Sequence, residues 1–160
     1  MSALAQVTRR PITDADGPTL QAIYASTRAE ELAQVPWPTA QKQAFLAMQF
    51  HAQHTHYQRA FADAAFDLLE VEGAPIGRLY VHRRTDEIRV VDIALLPAWR
   101  GRGVGGALLA ELITEAHGRG VPVKVHVERN NPAQRLYARL GFVEEGGDAV
   151  YRLLACAPPG

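Results

Sequence analysis

Residues Pro97–Leu109 read PAWRGRGVGGALL, and this is the most informative stretch of the sequence. Four glycines occur between Gly101 and Gly106, after an apolar run and before an amphipathic segment. Glycine has no Cβ atom, so the backbone at these positions can approach a ligand closely. The first N–H groups of a helix are unpaired and attract anions. The stretch therefore predicts a strand, a loop and a helix N-terminus that hold phosphate or pyrophosphate, or else a tight turn that binds nothing.

The sequence on either side of this loop alternates between strand and helix patterns. Glu87–Leu96 ends a series of three short apolar segments joined by turns, which is typical of an antiparallel meander. The element order is β-α-α-β-β-β-α-β-α-β-β, an α/β (α+β) sandwich around one sheet. The predicted strands are Val7–Ile12, Phe66–Val71, Ile76–Arg83, Glu87–Leu96, Val121–Val127, Phe142–Glu144 and Ala149–Leu154. The predicted helices run from Thr13 to about Leu32, from Ala40 to about Phe61, over Gly103–His117, and from Pro132 to about Leu140.

Polar residues at the helix starts predict how the helices are capped. Thr13, with Asp16 three residues later, fits a capping box, and Asn131 before Pro132 fits the start of the last helix. Thr39 is predicted to cap the second helix. The residues of that helix predicted to face inward are Phe45, Met48 and Ala52.

Size and composition fit one globular domain, residues 1–160, with a core of about 7–154 and a tail of 155–160. Lys plus Arg and Asp plus Glu number 17 each, so bulk charge does not favour a nucleic acid or an acidic membrane as partner. The single cysteine, Cys156 in the tail, excludes an intrachain disulfide and a thiol-based zinc site. No apolar run approaches the roughly 20 residues of a membrane helix. Met1–Gln6 is too short for a secretory signal, so we expect a soluble, cytoplasmic protein.

Two motifs resemble those of the GNAT N-acetyltransferase superfamily. The first is Arg100-x-x-Gly103-x-Gly105, which is similar to the family's acetyl-CoA signature. The second, further along the chain, is Asn130-x-x-Ala133-x-x-x-Tyr137-x-x-x-Gly141-Phe142. The resemblance extends over about Val7 to Leu154. It implies a mixed, mostly antiparallel sheet of about six or seven strands flanked by about four helices.

The resemblance also implies which residues hold acetyl-CoA. The sheet should open between Glu87–Leu96 and Val121–Val127, and the cofactor should enter there. The backbone of Leu95 and Leu96 should bind the pantetheine arm, with Asn130 beside it, and the Leu95 N–H could stabilise the oxyanion. Tyr137 should be the general acid that protonates the leaving thiolate, although its position in an apolar stripe also fits a core aromatic. The residues around the pyrophosphate should be Arg100, Gly101, Arg102, Gly103, Val104, Gly105 and Gly106.

The general base does not follow from the motifs. The family often has a glutamate 11 residues before the signature arginine, and this sequence has Arg89 there. A lysine-like amine has a pKa of about 10.4, so some group must accept its proton. A water chain could also accept it. The candidate side chains are Asp92, Glu31, Glu128 and His126.

The sequence therefore predicts an acetyl-CoA-dependent N-acetyltransferase. It would transfer acetyl directly, within a ternary complex, to a primary amine on a small molecule or a protein. The missing glutamate leaves a second hypothesis, a CoA-binding sensor or inactive interaction module. The C-terminal edge strand could pair two subunits into a homodimer.

Two other motifs are weaker. Gly101-x-Gly103-x-x-Gly106 matches a dinucleotide fingerprint, but too little chain follows it for a doubly wound sheet. His51, His54 and His56 lack the further ligands of a metal site, so no metal is expected.

Overall fold

A computed structural model of the chain describes residues 6–160. Met1–Ala5, most of the segment considered as a signal, lie outside the described residues. One seven-stranded sheet has the order β1-β2-β3-β4-β5-β7-β6, and two helices pack on each face. The strands are β1 Val7–Pro11, β2 Ala65–Val71, β3 Ala74–Arg83, β4 Ile88–Leu95, β5 Val123–Glu128, β6 Val143–Gly147 and β7 Tyr151–Cys156. The helices are α1 Gly17–Ala33, α2 Thr39–Ala60, α3 Val104–Gly118 and α4 Gln134–Arg139.

The predicted architecture is confirmed. All neighbouring strands are antiparallel except β4 and β5, which run parallel. The connection between β2 and β3 is only two residues long, because Glu72 and Gly73 both have positive φ, as a tight hairpin turn requires. No helix within residues 6–160 is both long enough and apolar enough to cross a bilayer.

Two apolar cores lie on opposite faces of the sheet. Under α3, a stripe of Val104, Leu108, Leu112 and Ala116 is buried against β3, β4 and β5. On the other face the core is smaller and joins α1 and α2 to β2 and β4. Its buried members are Leu20, Ile23, Tyr24, Phe50, Leu68 and Ala94.

Of the three residues predicted to face inward on α2, Phe45 is half-buried but the other two are not buried. Met48 is 60% exposed and Ala52 is exposed. The side chains that turn inward include Phe50, Gln53 and Tyr57. The apolar pattern failed because part of this helix covers polar side chains of the sheet, so its inner face is itself partly polar. The helix also begins at Thr39, with Pro38 as its N-cap residue and no side-chain cap.

The C-terminal elements differ from the prediction at their ends. Helix α4 begins at Gln134, because the side chain of Asn131 accepts a hydrogen bond from the Ala133 N–H at 2.7 Å and forms a turn first. Strand β7 extends to Cys156, which pairs with Val123 of β5. Cys156 is therefore a buried strand residue, and the predicted tail begins two residues too early.

Candidate active site

The sheet opens between its two central strands. Strands β4 and β5 pair only at Ile88–Val123, Arg89–Lys124 and Val90–Val125, although both strands continue beyond these pairs. The unpaired part of each strand leaves backbone groups free along a V-shaped gap. This opening is where the family resemblance implied that a cofactor would enter.

A β-bulge marks the point where the gap begins. Val90 pairs with Val81 of β3, but Asp92 pairs with Tyr80, so Val91 is an extra residue in β4. If β4 alternated regularly, Asp92, two residues after Val90, would share the face of Val90 and point into the apolar core under α3. The bulge at Val91, directly after the last residue of β4 that pairs with β5, turns Asp92 to the α2 face.

The glycine-rich loop forms an open cradle at the N-terminus of α3. Gly101 and Gly103 have φ values of 72° and 82°, which side chains with a Cβ atom rarely adopt. The first helical hydrogen bond runs from Ala107 N–H to the Gly103 carbonyl. Among the described residues, the N–H groups from Gly101 to Gly106 make no hydrogen bond. They are available, together with the helix dipole, for an anion such as pyrophosphate.

The two arginines of the loop have different environments. Arg100 is exposed but bound on the protein: its Nε donates to the Leu95 carbonyl at 2.9 Å, and its Nη2 donates to the carbonyl and hydroxyl of Ser26 on α1 at 3.2 Å. Arg102 remains at the surface, with its guanidinium 4.7 Å from the ring centroid of Trp99. Arg102 is therefore the side chain that is free to meet a bound anion.

The last residues of β4 present one free backbone donor to the gap. The N–H of Leu96 donates to Ile76 on β3 at 2.8 Å, and its carbonyl accepts from Trp99 at 2.9 Å. Since backbone groups alternate in direction along a strand, the N–H of Leu95 points away from β3, toward the gap. Leu95 rather than Leu96 thus has a donor available for a ligand.

Tyr137 lies on α4 and reaches the sheet. It is buried, and its ring packs edge-on against Phe142 with centroids 5.4 Å apart. Its hydroxyl makes no hydrogen bond to the described residues and is not sealed from solvent. Burial, and secondarily the negative charge of Asp92, raises the pKa of Tyr137 to about 12. The phenol is therefore protonated at neutral pH and can donate a hydrogen bond or a proton.

Asp92 belongs to a buried polar cluster that sequence analysis did not identify. Its Oδ2 accepts hydrogen bonds from Arg78 Nη2 at 2.8 Å and from Tyr57 Oη at 3.1 Å. Arg78 Nη2 also donates to Gln53 of α2 at 2.8 Å. The available signal was a charged residue, Arg78, in the middle of the apolar strand sequence IGRLYVHR. Its partners could not be identified because they come from β4 and α2.

The other candidate bases occupy different surroundings. Glu31 lies at the surface and pairs with Arg28 at 2.9 Å, and the same guanidinium reaches Glu128 of β5 at 3.4 Å. His126 lies next to Arg89, and burial followed by that positive charge lowers the pKa of its imidazole. Arg89 can only donate, so the 3.2 Å contact makes His126 Nδ1 the acceptor and leaves the hydrogen on Nε2.

The remaining residues considered in the sequence are Asn130, expected beside the pantetheine, and the histidines of α2, considered as metal ligands. Asn130 is exposed just after β5. The ring of His54 stacks on Phe50. Over the described part of the chain, no three His, Cys, Asp or Glu side chains are grouped to hold a metal ion.

Comparison with known proteins identifies the family. The model of the acetyltransferase (GNAT) family matches residues 21–142, and the chain belongs to this family. It is 36% identical over 113 residues to N-alpha-acetyltransferase RimI of Mycobacterium tuberculosis, covering 69% of this chain and 64% of that protein. It is 30% identical over 106 residues to a mycothiol acetyltransferase of Catenulispora acidiphila, covering 65% of this chain and 27% of that protein. The chain thus spans less than two thirds of either relative.

A solved structure supports the fold assignment. The PaiA N-acetyltransferase of Thermoplasma acidophilum, in complex with coenzyme A, matches with a TM-score of 0.70 and 16% identity. The match covers 98% of this chain and 99% of that chain. The seven-stranded sheet and four helices described above therefore form a GNAT fold.

Proposed function

We propose that this chain is an acetyl-CoA-dependent N-acetyltransferase that transfers acetyl directly to a primary amine. The observation that carries the proposal is the gap between β4 and β5, which has a cradle of free N–H groups at one end and Asp92 and Tyr137 beside it. Family membership supports the same activity. Either feature alone would fit a protein that only binds CoA.

The cofactor would lie along the gap. The N–H groups from Gly101 to Gly106 would bind the pyrophosphate, with Arg102 adding a positive charge. The Leu95 N–H would donate to the pantetheine or to the thioester oxygen, and Asn130 would lie near the pantetheine. Arg100 would act indirectly, because its hydrogen bonds to Leu95 and Ser26 hold the end of β4 against α1.

The transfer then needs one base and one acid. The amine nitrogen attacks the thioester carbon, the C–N bond forms, and the carbonyl electrons move to oxygen. Asp92 takes a proton from the nitrogen through its free Oδ1. When the C–S bond breaks, the thiolate accepts the proton of Tyr137. Solvent returns a proton to the Tyr137 phenolate and removes one from Asp92, so the products are the amide and the free thiol.

Protonation of Asp92 and the acidity of Tyr137 are coupled in a direction that favours the reaction. The negative charge of Asp92 helps to raise the pKa of Tyr137. Once Asp92 is protonated, this contribution disappears and Tyr137 becomes a better acid. A phenol is still a weaker acid than an ordinary thiol. Tyr137 would therefore stabilise the developing thiolate first as a hydrogen-bond donor and transfer the proton as the bond breaks.

Direct transfer fits the position of the only thiol. Cys156 is buried at the end of β7, with its sulfur 3.6 Å from the Leu140 carbonyl, and burial raises the pKa of its thiol. A buried, protonated thiol is a poor acyl carrier. Positioning two substrates in one ternary complex would supply much of the rate.

The acceptor would be a primary amine of a small molecule or a protein. RimI is named as an N-alpha-acetyltransferase, and the relative from Catenulispora acidiphila is named as a mycothiol acetyltransferase, so proteins named for a protein acceptor and for a small-molecule acceptor are both similar to this chain. Glu31 is exposed on α1, Glu128 is half-buried at the end of β5 beside the gap, and both contact Arg28. We assign them a role in attracting a cationic amine, with proton removal left to Asp92.

Isothermal titration with acetyl-CoA tests the proposal. The wild type should bind acetyl-CoA and not NADH, and Arg102→Glu should weaken binding at least ~10-fold by placing a negative charge beside the pyrophosphate. Arg59→Glu, on the exposed end of α2, is the matched control because it changes net charge equally, and it should bind as the wild type does.

Thiol release in the presence of amines completes the test. The panel contains a peptide with a free N-terminus, a lysine peptide with a blocked N-terminus, and a small-molecule amine. Release with one of them supports the enzyme. Binding without release to any amine would favour the CoA-binding sensor, and absence of binding would overturn both hypotheses.

A further inference from the structure

We propose that Arg78 and Tyr57 are positioning residues for the proposed acetyl transfer, and that they fix Asp92 so that its free oxygen meets the acceptor amine. The inference rests on the proposed function, in which Asp92 is the base. It adds two residues, from β3 and α2, that neither the family motifs nor the spacing of the sequence indicated.

The first observation is the burial of Arg78. Its side chain is 2% exposed, on the strand next to β4, and the ring of Tyr80 lies 5.2 Å from its guanidinium carbon. A guanidinium is rarely buried unless it is paired, because desolvation is costly. Burial alone lowers the pKa of Arg78, and Asp92 offsets this so that the net pKa is raised. Arg78 is therefore a fixed positive charge inside the domain.

The second observation is the asymmetry of the Asp92 carboxylate. Both hydrogen bonds, from Arg78 and Tyr57, are made to Oδ2. Burial, followed by the charge of Asp92, raises the pKa of Tyr57, so its hydroxyl remains a donor. Oδ1 accepts no hydrogen bond from the described residues and is not sealed from solvent. Two donors on one oxygen fix the rotation of the carboxylate and leave the other oxygen available for a proton.

The third observation is that the cluster is poorly arranged for stability alone. Arg78 Nε and Tyr80 Oη are buried and have no hydrogen-bond partner among the described residues. A buried ion pair with unsatisfied neighbours is weak evidence for a stabilising role, since apolar residues of similar volume often serve as well. The bulge at Val91 serves the same arrangement, because it turns Asp92 away from the apolar core and toward Arg78.

Other ionisable groups also surround Asp92. The charge of Asp92 raises the pKa of Tyr137 on α4. The charges of Asp92 and of Tyr151 on β7 both raise the pKa of Tyr57. The charge of Arg78 acts to lower the pKa of His54 on α2 and that of Tyr80 on β3. The expected titrations of these groups differ from that of a carboxylate, so a direct signal from Asp92 can be separated from theirs.

The test combines carboxylate titration with steady-state kinetics. Carbon-13 NMR of labelled aspartate carboxyls follows Asp92, whose signal is identified by its loss in Asp92→Asn. In Arg78→Met, protonation of Asp92 becomes easier, so its titration midpoint should rise by roughly 1–2 pH units. The kcat should fall ~10²-fold at neutral pH, with the KM values for acetyl-CoA and amine nearly unchanged.

Two more conservative variants allow the same test if Arg78→Met does not fold. Arg78→Lys keeps the charge but loses the planar fork, and should retain the titration midpoint while kcat falls ~10-fold. Tyr57→Phe removes one hydrogen bond, and should lower kcat roughly 3- to 10-fold without changing KM. The matched control is Arg83→Met, on the same strand, which breaks an ion pair with Glu115 of α3 and should leave both readouts unchanged.

The outcomes separate this inference from the proposed function. If the wild type acetylates no amine, the proposed function fails and this inference fails with it. If the wild type is active and Asp92→Asn is equally active, Asp92 is not the base and its positioning is irrelevant. If Asp92→Asn is impaired but the Arg78 and Tyr57 variants match the wild type in titration midpoint and kcat, only the inference is overturned.

Discussion

Burial sets the protonation state of Tyr137, the residue proposed as the general acid. The phenol is enclosed between α4 and the sheet, and burial together with Asp92 keeps it neutral up to a pH of about 12. An apolar stripe on a short helix would bury a tyrosine in any case, so burial by itself says nothing about function. The relevant observation is that the hydroxyl makes no hydrogen bond within residues 6–160 and is not sealed from solvent, so it is open to a ligand in the gap.

We expect Tyr137→Phe to lower kcat by ~10²- to 10⁴-fold, since the leaving thiolate would lose its proton donor. Phenylalanine keeps the edge-on contact with Phe142, so the melting temperature should change little. Thiol release and thermal melting by circular dichroism measure the two effects. An unchanged rate at an unchanged melting temperature would remove Tyr137 from the mechanism and return it to the core.

The contact between β3 and β4 fixes the end of β4, where the Leu95 N–H faces the gap. Gly77 of β3 pairs with Leu95 of β4, and the two backbones approach so closely that a Cβ atom on Gly77 would overlap the Ala94 carbonyl oxygen and lie 3.0 Å from the Leu95 Cα. This close approach fixes the end of β4, whose Leu95 N–H faces the gap. Strand β4 is thus held from one side by Gly77 and from the loop by Arg100.

We predict that Gly77→Ala destabilises the domain by about 1–3 kcal/mol, because two backbones must separate to admit the methyl group. The same shift should weaken acetyl-CoA binding by moving the Leu95 N–H. Gly118→Ala is the matched control: it lies at the end of α3 with nothing within 4 Å of the added methyl group, and should be neutral or slightly stabilising. Urea denaturation and titration calorimetry give both values. Equal stability of the two variants would contradict this role for Gly77.

At the scale of the whole molecule, α1 bridges the two halves of an interrupted sheet. Beyond the three pairs that join β4 and β5, the gap has no backbone hydrogen bonds across it. Ser26 of α1 accepts from Arg100, and Arg28 of α1 reaches Glu128 of β5. The surface ion pair contributes little stability by itself. A ligand in the gap would therefore add contacts between parts of the sheet that are otherwise weakly joined.

Acetyl-CoA at about 100 times its Kd should stabilise the folded chain by about 2.7 kcal/mol. For a domain of this size, that free energy corresponds to a rise in melting temperature of roughly 5–10 °C. Differential scanning calorimetry with acetyl-CoA, and with NADH as the control ligand, measures the shift. Equal shifts with both ligands would show that the cradle binds phosphates without selecting acetyl-CoA.

Sequence patterns by themselves determined the order of elements, the α3 stripe and the glycine loop, because each depends on residues that are close together in the chain. An apolar period of helix or strand, and a glycine that needs positive φ, are local properties. The same reasoning failed on part of α2, whose inner face is partly polar because it lies over Arg78 and Asp92. Tertiary structure alone decided that cluster: Tyr57, Arg78 and Asp92 are far apart in sequence and meet only when β3, β4 and α2 pack. The bulge at Val91 decided the face of Asp92, and an extra residue in one strand is visible only once the pairing with its neighbour is known.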